Sequence, residues 1–198
     1  MDTLFNWELI LQVFEIALAL GLITGFGAIV RNIYIYITSS TLDKVLVRKY
    51  NVYDVMQRVM ADIDCSRMLL IKVHNGGSVP KVTSTLKSTI IQEVYRAPLS
   101  SIKMDWQDRE VDMAYIKMLI SLDQSADGTI SISRDNMEDG MLKHTYQAHG
   151  IKSSMLSYVT RDSKAMYFIS CNYTEDLHLS PFRQARLEDL SSKLKALI

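Results

Sequence analysis

Two cysteines in 198 residues cannot build a disulfide framework. Cys65 and Cys171 both lie in apolar, strand-like surroundings and read as reduced core residues, because free cysteine is among the most buried residue types. The chain also lacks an excess of either charge: 22 basic residues balance 22 acidic ones, and no basic tract stands out. That argues against a nucleic-acid partner. Metal-ligand spacing is missing too. His144 and His149 are five apart and so fall on different helical faces, His178 sits in a loop segment, and no metal site is expected. There is no GxxxxGK[ST] phosphate loop. Nothing marks out a Ser/His/Asp arrangement, and the chain holds no kinase, cyclase or DNA-binding output. An enzyme is therefore not the expected reading, and the cofactor, if one is used, is unknown from the residues.

What the chain does have is Leu9–Val30, twenty-two residues with one formal charge, Glu15. A helix rising about 1.5 Å per residue crosses a hydrocarbon core of about 30 Å in about 20 residues, so this stretch has the length of a membrane span. The eight residues before it contain Asp2 and Glu8 but no Lys or Arg, unlike a cleavable signal. The basic residues Arg31, Lys44, Arg48 and Lys49 follow it. The positive-inside rule then puts the N-terminus outside and the C-terminal domain in the cytoplasm, as a single-pass membrane protein. Trp7, Tyr34 and Tyr36 stand where interfacial aromatics belong. The sequon Asn172-Tyr173-Thr174 would be silent in the cytosol. Ala17, Gly21 and Gly25 repeat every four residues, a small-xxx-small line that lets two helices approach, although glycine is also simply common in membrane helices. Gln12 and Glu15 make a polar spot one turn inside the span.

Three regions follow: a membrane helix with its flanks over 1–38, a linker helix over 39–63, and a cytoplasmic domain over 64–198. In the linker, Val45, Val52 and Val59 share one heptad position, while Leu42, Met56 and Ile63 share another that Lys49 interrupts. The pattern suits a parallel dimeric coiled coil, and it equally suits an amphipathic helix packed on its own domain. Beyond it, strands are expected at Arg67–Val73, Thr89–Tyr95, Thr129–Ser133, Ser153–Thr160 and Ala165–Asn172. Helices are expected near Asp108–Leu122, near Met137–Ala148 with a stop at Gly150, and from Pro181 to the end. Ser180 is the N-cap of the last helix, with Pro181 at its first position. His74-Asn75-Gly76-Gly77 closes the first strand. It reads either as a hairpin turn, for which Asn-Gly is a strong signal, or as a ligand loop whose glycines let backbone N–H groups approach an anion while His74 donates a hydrogen bond. Tyr146, Tyr158, Tyr167 and Phe168 fit a core better than a ligand cage.

The order helix–strand–strand–helix–strand–helix–strand–strand–helix resembles the GAF domain family over about residues 52–198. The local match is best in the last fifty residues: Gly150 leading into Ile151-Lys152-Ser153-Ser154-Met155-Leu156, the hairpin Arg161-Asp162-Ser163-Lys164, the strand Tyr167–Asn172, and the Leu187/Leu190/Leu194 stripe of the final helix. The Asn-Lys-x-Asp/Glu type motif of cyclic-nucleotide-binding GAF domains is absent, as is an obvious chromophore-attachment cysteine. The resemblance implies an α+β fold with a central antiparallel sheet flanked by helices, a pocket, and dimerisation through the terminal helices. It implies no particular ligand.

The expected protein is thus a membrane-anchored GAF-like sensory module, a homo-oligomer acting through a small ligand or a protein partner. Two other classes compete: a membrane-associated scaffold or structural subunit of a larger assembly, such as a viral one, with no ligand, and a reductase using Cys171 with Cys65 as its only resolving partner.

Overall fold

The computed structural model describes residues 7–76, 85–176 and 180–198; the side chains of 7–26 and 33–40 are not described. The chain divides into two compact units, Met1–Arg48 and Lys49–Ile198. Helix α1 (Trp7–Asp62) runs through the first and into the second. The side chains of Ala17, Gly21 and Gly25, and most of Leu9–Val30, lie outside the described residues. Among the described residues no helix is long and apolar enough to cross a membrane.

The second unit is built on a six-stranded antiparallel sheet. Its strands are β1 (Arg67–His74), β2 (Lys87–Tyr95), β3 (Arg109–Glu110), β4 (Thr129–Ser133), β5 (Ser153–Arg161) and β6 (Ala165–Tyr173), in the order β3-β2-β1-β6-β5-β4. Strands β1 and β6 are central, and their residues are buried or half-buried on both faces, so both of their faces are covered. One face carries Met68, Leu70, Ile169 and Cys171, packed against Val52, Met56, Val59 and Ile63 of α1 and Leu187, Leu190 and Leu194 of α4 (Pro181–Leu197). The other carries Leu69, Ile71, Phe168 and Leu156, packed against α2 (Met113–Gln124), α3 (Met141–Ala148) and the Ile102–Trp106 segment.

The linker heptads divide. Val52, Met56, Val59 and Ile63 are buried within their own domain, whereas Leu42 and Val45 are 60% and 43% exposed. From Val52 onward these side chains belong to the core shared with β1, β5, β6 and α4.

Two helix starts also differ from the sequence pattern. Helix α2 begins at Met113, not Asp108, because Asp108 takes a left-handed turn (φ 53°) and Arg109–Glu110 pairs with β2 before the helix can start. Helix α3 begins at Met141, not Met137, because residues Arg134–Asn136 form a 3-10 turn first. A single carboxylate sets both starts: Asp112 accepts from Tyr115 N at 2.9 Å through Oδ1 and from Met141 N at 2.6 Å through Oδ2. The end of α3 was readable. Gly150 (φ 63°) closes a Schellman motif in which Ile151 N donates to Tyr146 O at 2.8 Å and Gly150 N to Gln147 O at 3.3 Å. Ser180 Oγ caps α4 by accepting from Arg183 N at 3.3 Å.

Candidate functional site

Where β1, β5 and β6 face α2 and α3, the packing leaves a cavity of about 30 Å³. It has room for about one or two waters. Its walls are mostly apolar: Leu69, Ile71, Ile90, Leu156 and Phe168 from the sheet, Met118 and Leu142 from the helices, Ile102 and Trp106 from the segment between β2 and β3. The Schellman turn after α3 delivers Ile151 to the same wall. Arg109 lies over the Trp106 ring at 5.6 Å and covers its outer side.

One end of the cavity is polar. Asn172 lines it while only 2% exposed. Its Oδ1 accepts from Ser154 Oγ at 2.8 Å and from Ser170 Oγ at 2.7 Å. Ser170 and the Tyr146 and Thr145 side chains line the cavity beside it. The Tyr146 hydroxyl lies beside this pair of serines. Burial pushes its hydroxyl pKa up, and the neighbouring Ser154 and Ser170 oppose that shift. Antiparallel register explains the grouping: Asn172 faces Ser154 on β5 and Arg67 on β1, all on one side of the sheet. Continuing outward, Arg67 meets Glu93 of β2 at 3.2 Å, with both side chains nearly fully buried. Burial pulls the Arg67 pKa down and Glu93 opposes this. Arg67 Nη2 donates to Ser100 O at 2.6 Å, and Glu93 accepts from Ser101 Oγ and from the backbone N–H groups of Ile102 and Lys103. The ion pair therefore pins the segment that supplies Ile102 and Trp106 to the cavity wall.

The His74-Asn75-Gly76-Gly77 motif is elsewhere. His74 ends β1 opposite Ala165, whereas Arg67 at the strand's start is opposite Asn172. Seven residues of strand separate the two ends by roughly 23 Å at about 3.3 Å per residue. Gly76 (φ 77°) forms the turn, Asn75 precedes it, and Gly77 lies outside the described residues. His74 Nδ1 accepts from Gly76 N at 3.1 Å, so Nε2 carries the ring proton, toward Thr89 Oγ1 at 3.0 Å and Asp108 Oδ1 at 3.2 Å. The ring locks the turn to β2 and to the bend at Asp108. It also borders an open groove with Leu86, Ile120 and Lys164.

Burial holds the His74 pKa below its ordinary value. Lys72 and Lys87 add to the depression and Asp108 opposes it. A depressed histidine favours the fold when neutral, so its contribution is complete above about pH 6.5 and is lost as pH falls through that value toward the folded pKa. Urea denaturation at pH 5.5 is expected to show a lower midpoint than at pH 7.5, and His74→Gln to shrink the difference. His149, depressed by burial and by Arg67, supplies a loss of the same sign that the variant leaves in place.

Both cysteines are fully buried on the α1/α4 side of the sheet, and none lines the cavity. Burial, and then the neighbouring Cys65, push the Cys171 thiol well above the ordinary range. Such a thiol is a poor nucleophile. Among the described residues no cluster of His, Cys, Asp and Glu could hold a metal ion. Asn172, which forms part of a sequon, is buried in the middle of a sheet.

Sequence comparison finds no matching family model and no matching curated protein. Structural comparison does find matches. A far-red cyanobacteriochrome photoreceptor superposes with a TM-score of 0.57 at 13% identity, covering 84% of this chain and 93% of that one. The blue-light absorbing form of the Thermosynechococcus elongatus PixJ GAF-domain gives 0.55 at 9% identity over 78% and 86%. The phycocyanobilin-bound GAF domain from a cyanobacterial phytochrome gives 0.54 at 13% over 80% and 90%. The fold is GAF-like. At these identities the likeness concerns the fold alone.

Sequence reasoning missed Asn172, Arg67 and Glu93. A signal was present for the last two: each is a charged residue inside an otherwise apolar strand pattern, RMLLIKV and TIIQEVY.

Proposed function

We propose that this protein is a membrane-anchored sensory module whose GAF-like domain binds a small ligand in the cavity between the sheet and helices α2 and α3. The observation that carries this reading is Asn172. This carboxamide, 2% exposed and held through its oxygen by Ser154 and Ser170, stands with Ser170, Thr145 and Tyr146 at the polar end of a mostly apolar cavity. Apolar walls with a few convergent polar groups are the general form of a small-molecule site.

Alternation along β6 supplies a route for the signal. Phe168, Ser170 and Asn172 line the cavity; Ile169, Cys171 and Tyr173 touch the α1/α4 layer. A ligand that shifts β6 therefore biases the packing of Val52–Ile63 against α4, a population shift that a second copy or a partner protein would read. On this reading the protein binds and does not catalyse. The matched phytochrome GAF domain is phycocyanobilin-bound. Here no cysteine lines the cavity, and about 30 Å³ does not hold a tetrapyrrole without rearrangement of the walls.

Thermal melts of the purified full chain against a metabolite library test the ligand. At least one compound is expected to raise Tm, and Thr145→Leu, which fills the cavity from α3, is expected to abolish the rise. A ligand at 100 times its Kd stabilises by about 2.7 kcal/mol, well within detection. The small size of the cavity favours the scaffold reading, and a library that shifts nothing supports it. The anchor is tested separately. In intact cells an impermeant maleimide should label Asp2→Cys and spare Ser163→Cys; labelling at 163 reverses the topology.

A further inference from the structure

Outside the cavity, α2, β4 and the segment before α3 enclose a groove of about 270 Å³. Ala114, Lys117, Met118 and Ser121 line it from one face of α2, at i, i+3, i+4 and i+7. Ser131, Ser133 and Asn136 line it from the β4 side. Met118 and Leu142 line both this groove and the inner cavity. These two flexible aliphatic side chains are thus shared by a largely apolar chamber ending in Asn172 and a hydroxyl-rich chamber lined by one cation, Lys117, and one carboxylate, Glu138. Within the groove Lys117 Nζ pairs with Glu138 at 2.7 Å, with both side chains about 60% exposed. An exposed pair of this kind contributes little and opens readily.

Resting on the ligand reading above, we infer that cavity and groove are two chambers of one site, gated by Met118 and Leu142, and that the ligand is an elongated, largely apolar anion. Its hydrogen-bond acceptor or apolar tip enters toward Asn172, its body replaces the gate side chains, and its anionic end takes Lys117 from Glu138. The cavity alone is too small for such a molecule, but the groove and the space of the displaced gate side chains together give the few hundred Å³ a drug-sized ligand occupies. Methionine suits the gate because its unbranched thioether changes rotamer at little cost.

The test uses 4-(4-bromophenyl)butanoate, a soluble aryl carboxylate whose bromine quenches tryptophan fluorescence on contact. Trp106 is the reporter in the cavity wall, and Trp106→Phe removes its signal. With the full chain in lipid nanodiscs, the quenching is expected to saturate at one probe per chain. Met118→Ala and Leu142→Ala, made separately so that a folding failure in one leaves the other informative, should each lower Kd by about tenfold by removing the cost of opening the gate. Lys117→Gln should raise Kd by up to about fivefold, the scale of one exposed charge pair. Thr145→Leu should cancel the gain from either alanine. If neither alanine changes Kd while Thr145→Leu still abolishes metabolite stabilisation, the gate is wrong and the cavity reading stands. If Thr145→Leu is also without effect, both fall. Quenching in the alanine variants that persists through Thr145→Leu places the probe elsewhere and overturns the two-chamber site.

Discussion

Glu93→Gln should destabilise the GAF-like domain by about 3–5 kcal/mol, the cost of leaving one member of a buried ion pair without its partner. Arg67 and Glu93 are 2% and 3% exposed in their side chains and 3.2 Å apart. Removing the carboxylate charge leaves a guanidinium that cannot shed its proton and has no water to turn to. The loss extends beyond the pair. The same carboxylate accepts from Ser101 Oγ, Ile102 N and Lys103 N, and a neutral amide presents only one oxygen to those three donors and to Arg67. For a domain of this size the drop in Tm is on the order of 10 °C. The double variant Arg67→Met/Glu93→Gln should recover much of it, since no charge is then stranded; a cycle measured by urea unfolding reads the coupling directly. Because Glu93 anchors the backbone that carries Ile102 and Trp106, the single variant should also weaken any ligand of the cavity. A Glu93→Gln protein with unchanged stability would mean that the pair is solvated.

Asp112→Ala should cost about 2–3 kcal/mol, roughly two N-caps lost in one substitution. Each oxygen of this carboxylate caps a different helix, Oδ1 that of α2 and Oδ2 that of α3. Asp112→Asn separates the two effects. Its one oxygen still caps α2, while its amide turns a donor toward Met141 N–H, so it should lose about half as much. The geometry also fixes Gly140. A Cβ there would lie 2.6 Å from Asp112 Oδ2 and 3.3 Å from Ala114 Cβ. Gly140→Ala should therefore be costly in the native chain and much less so beside Asp112→Ala, where the nearest obstacle is gone. Additive costs in that cycle would show that the carboxylate is not shared. Functionally, this contact matters because it fixes α2 against α3, the two helices that carry Met118 and Leu142.

Elements defined by local chemistry could be read from the chain. Gly150 stops α3, Ser180-Pro181 starts α4, and the apolar runs of β1 and β6 lie within one residue of expectation. What could not be read depends on contacts distant in sequence. Asp112 caps α3 across twenty-nine residues, so the pattern alone began that helix four residues early. The two-residue β3 exists only by pairing with β2. The cavity is assembled from single residues on several elements, none of which forms a local motif. The His-Asn-Gly-Gly turn is legible in the sequence because its four residues are adjacent. Asn172 is marked in the sequence only by its sequon, whereas register places it beside Ser154 and Arg67. The linker heptads remained ambiguous because a helix seam looks the same whether it meets a partner chain or its own sheet.

Native mass spectrometry of the full chain, extracted gently and never denatured, tests most directly whether the cavity beside Asn172 is a ligand site. The predicted spectrum shows a stoichiometric small-molecule adduct in the native protein and the bare chain mass for Thr145→Leu. A bare chain in both, from a folded native protein whose Tm no metabolite moves, would contradict the account and leave a scaffold in its place.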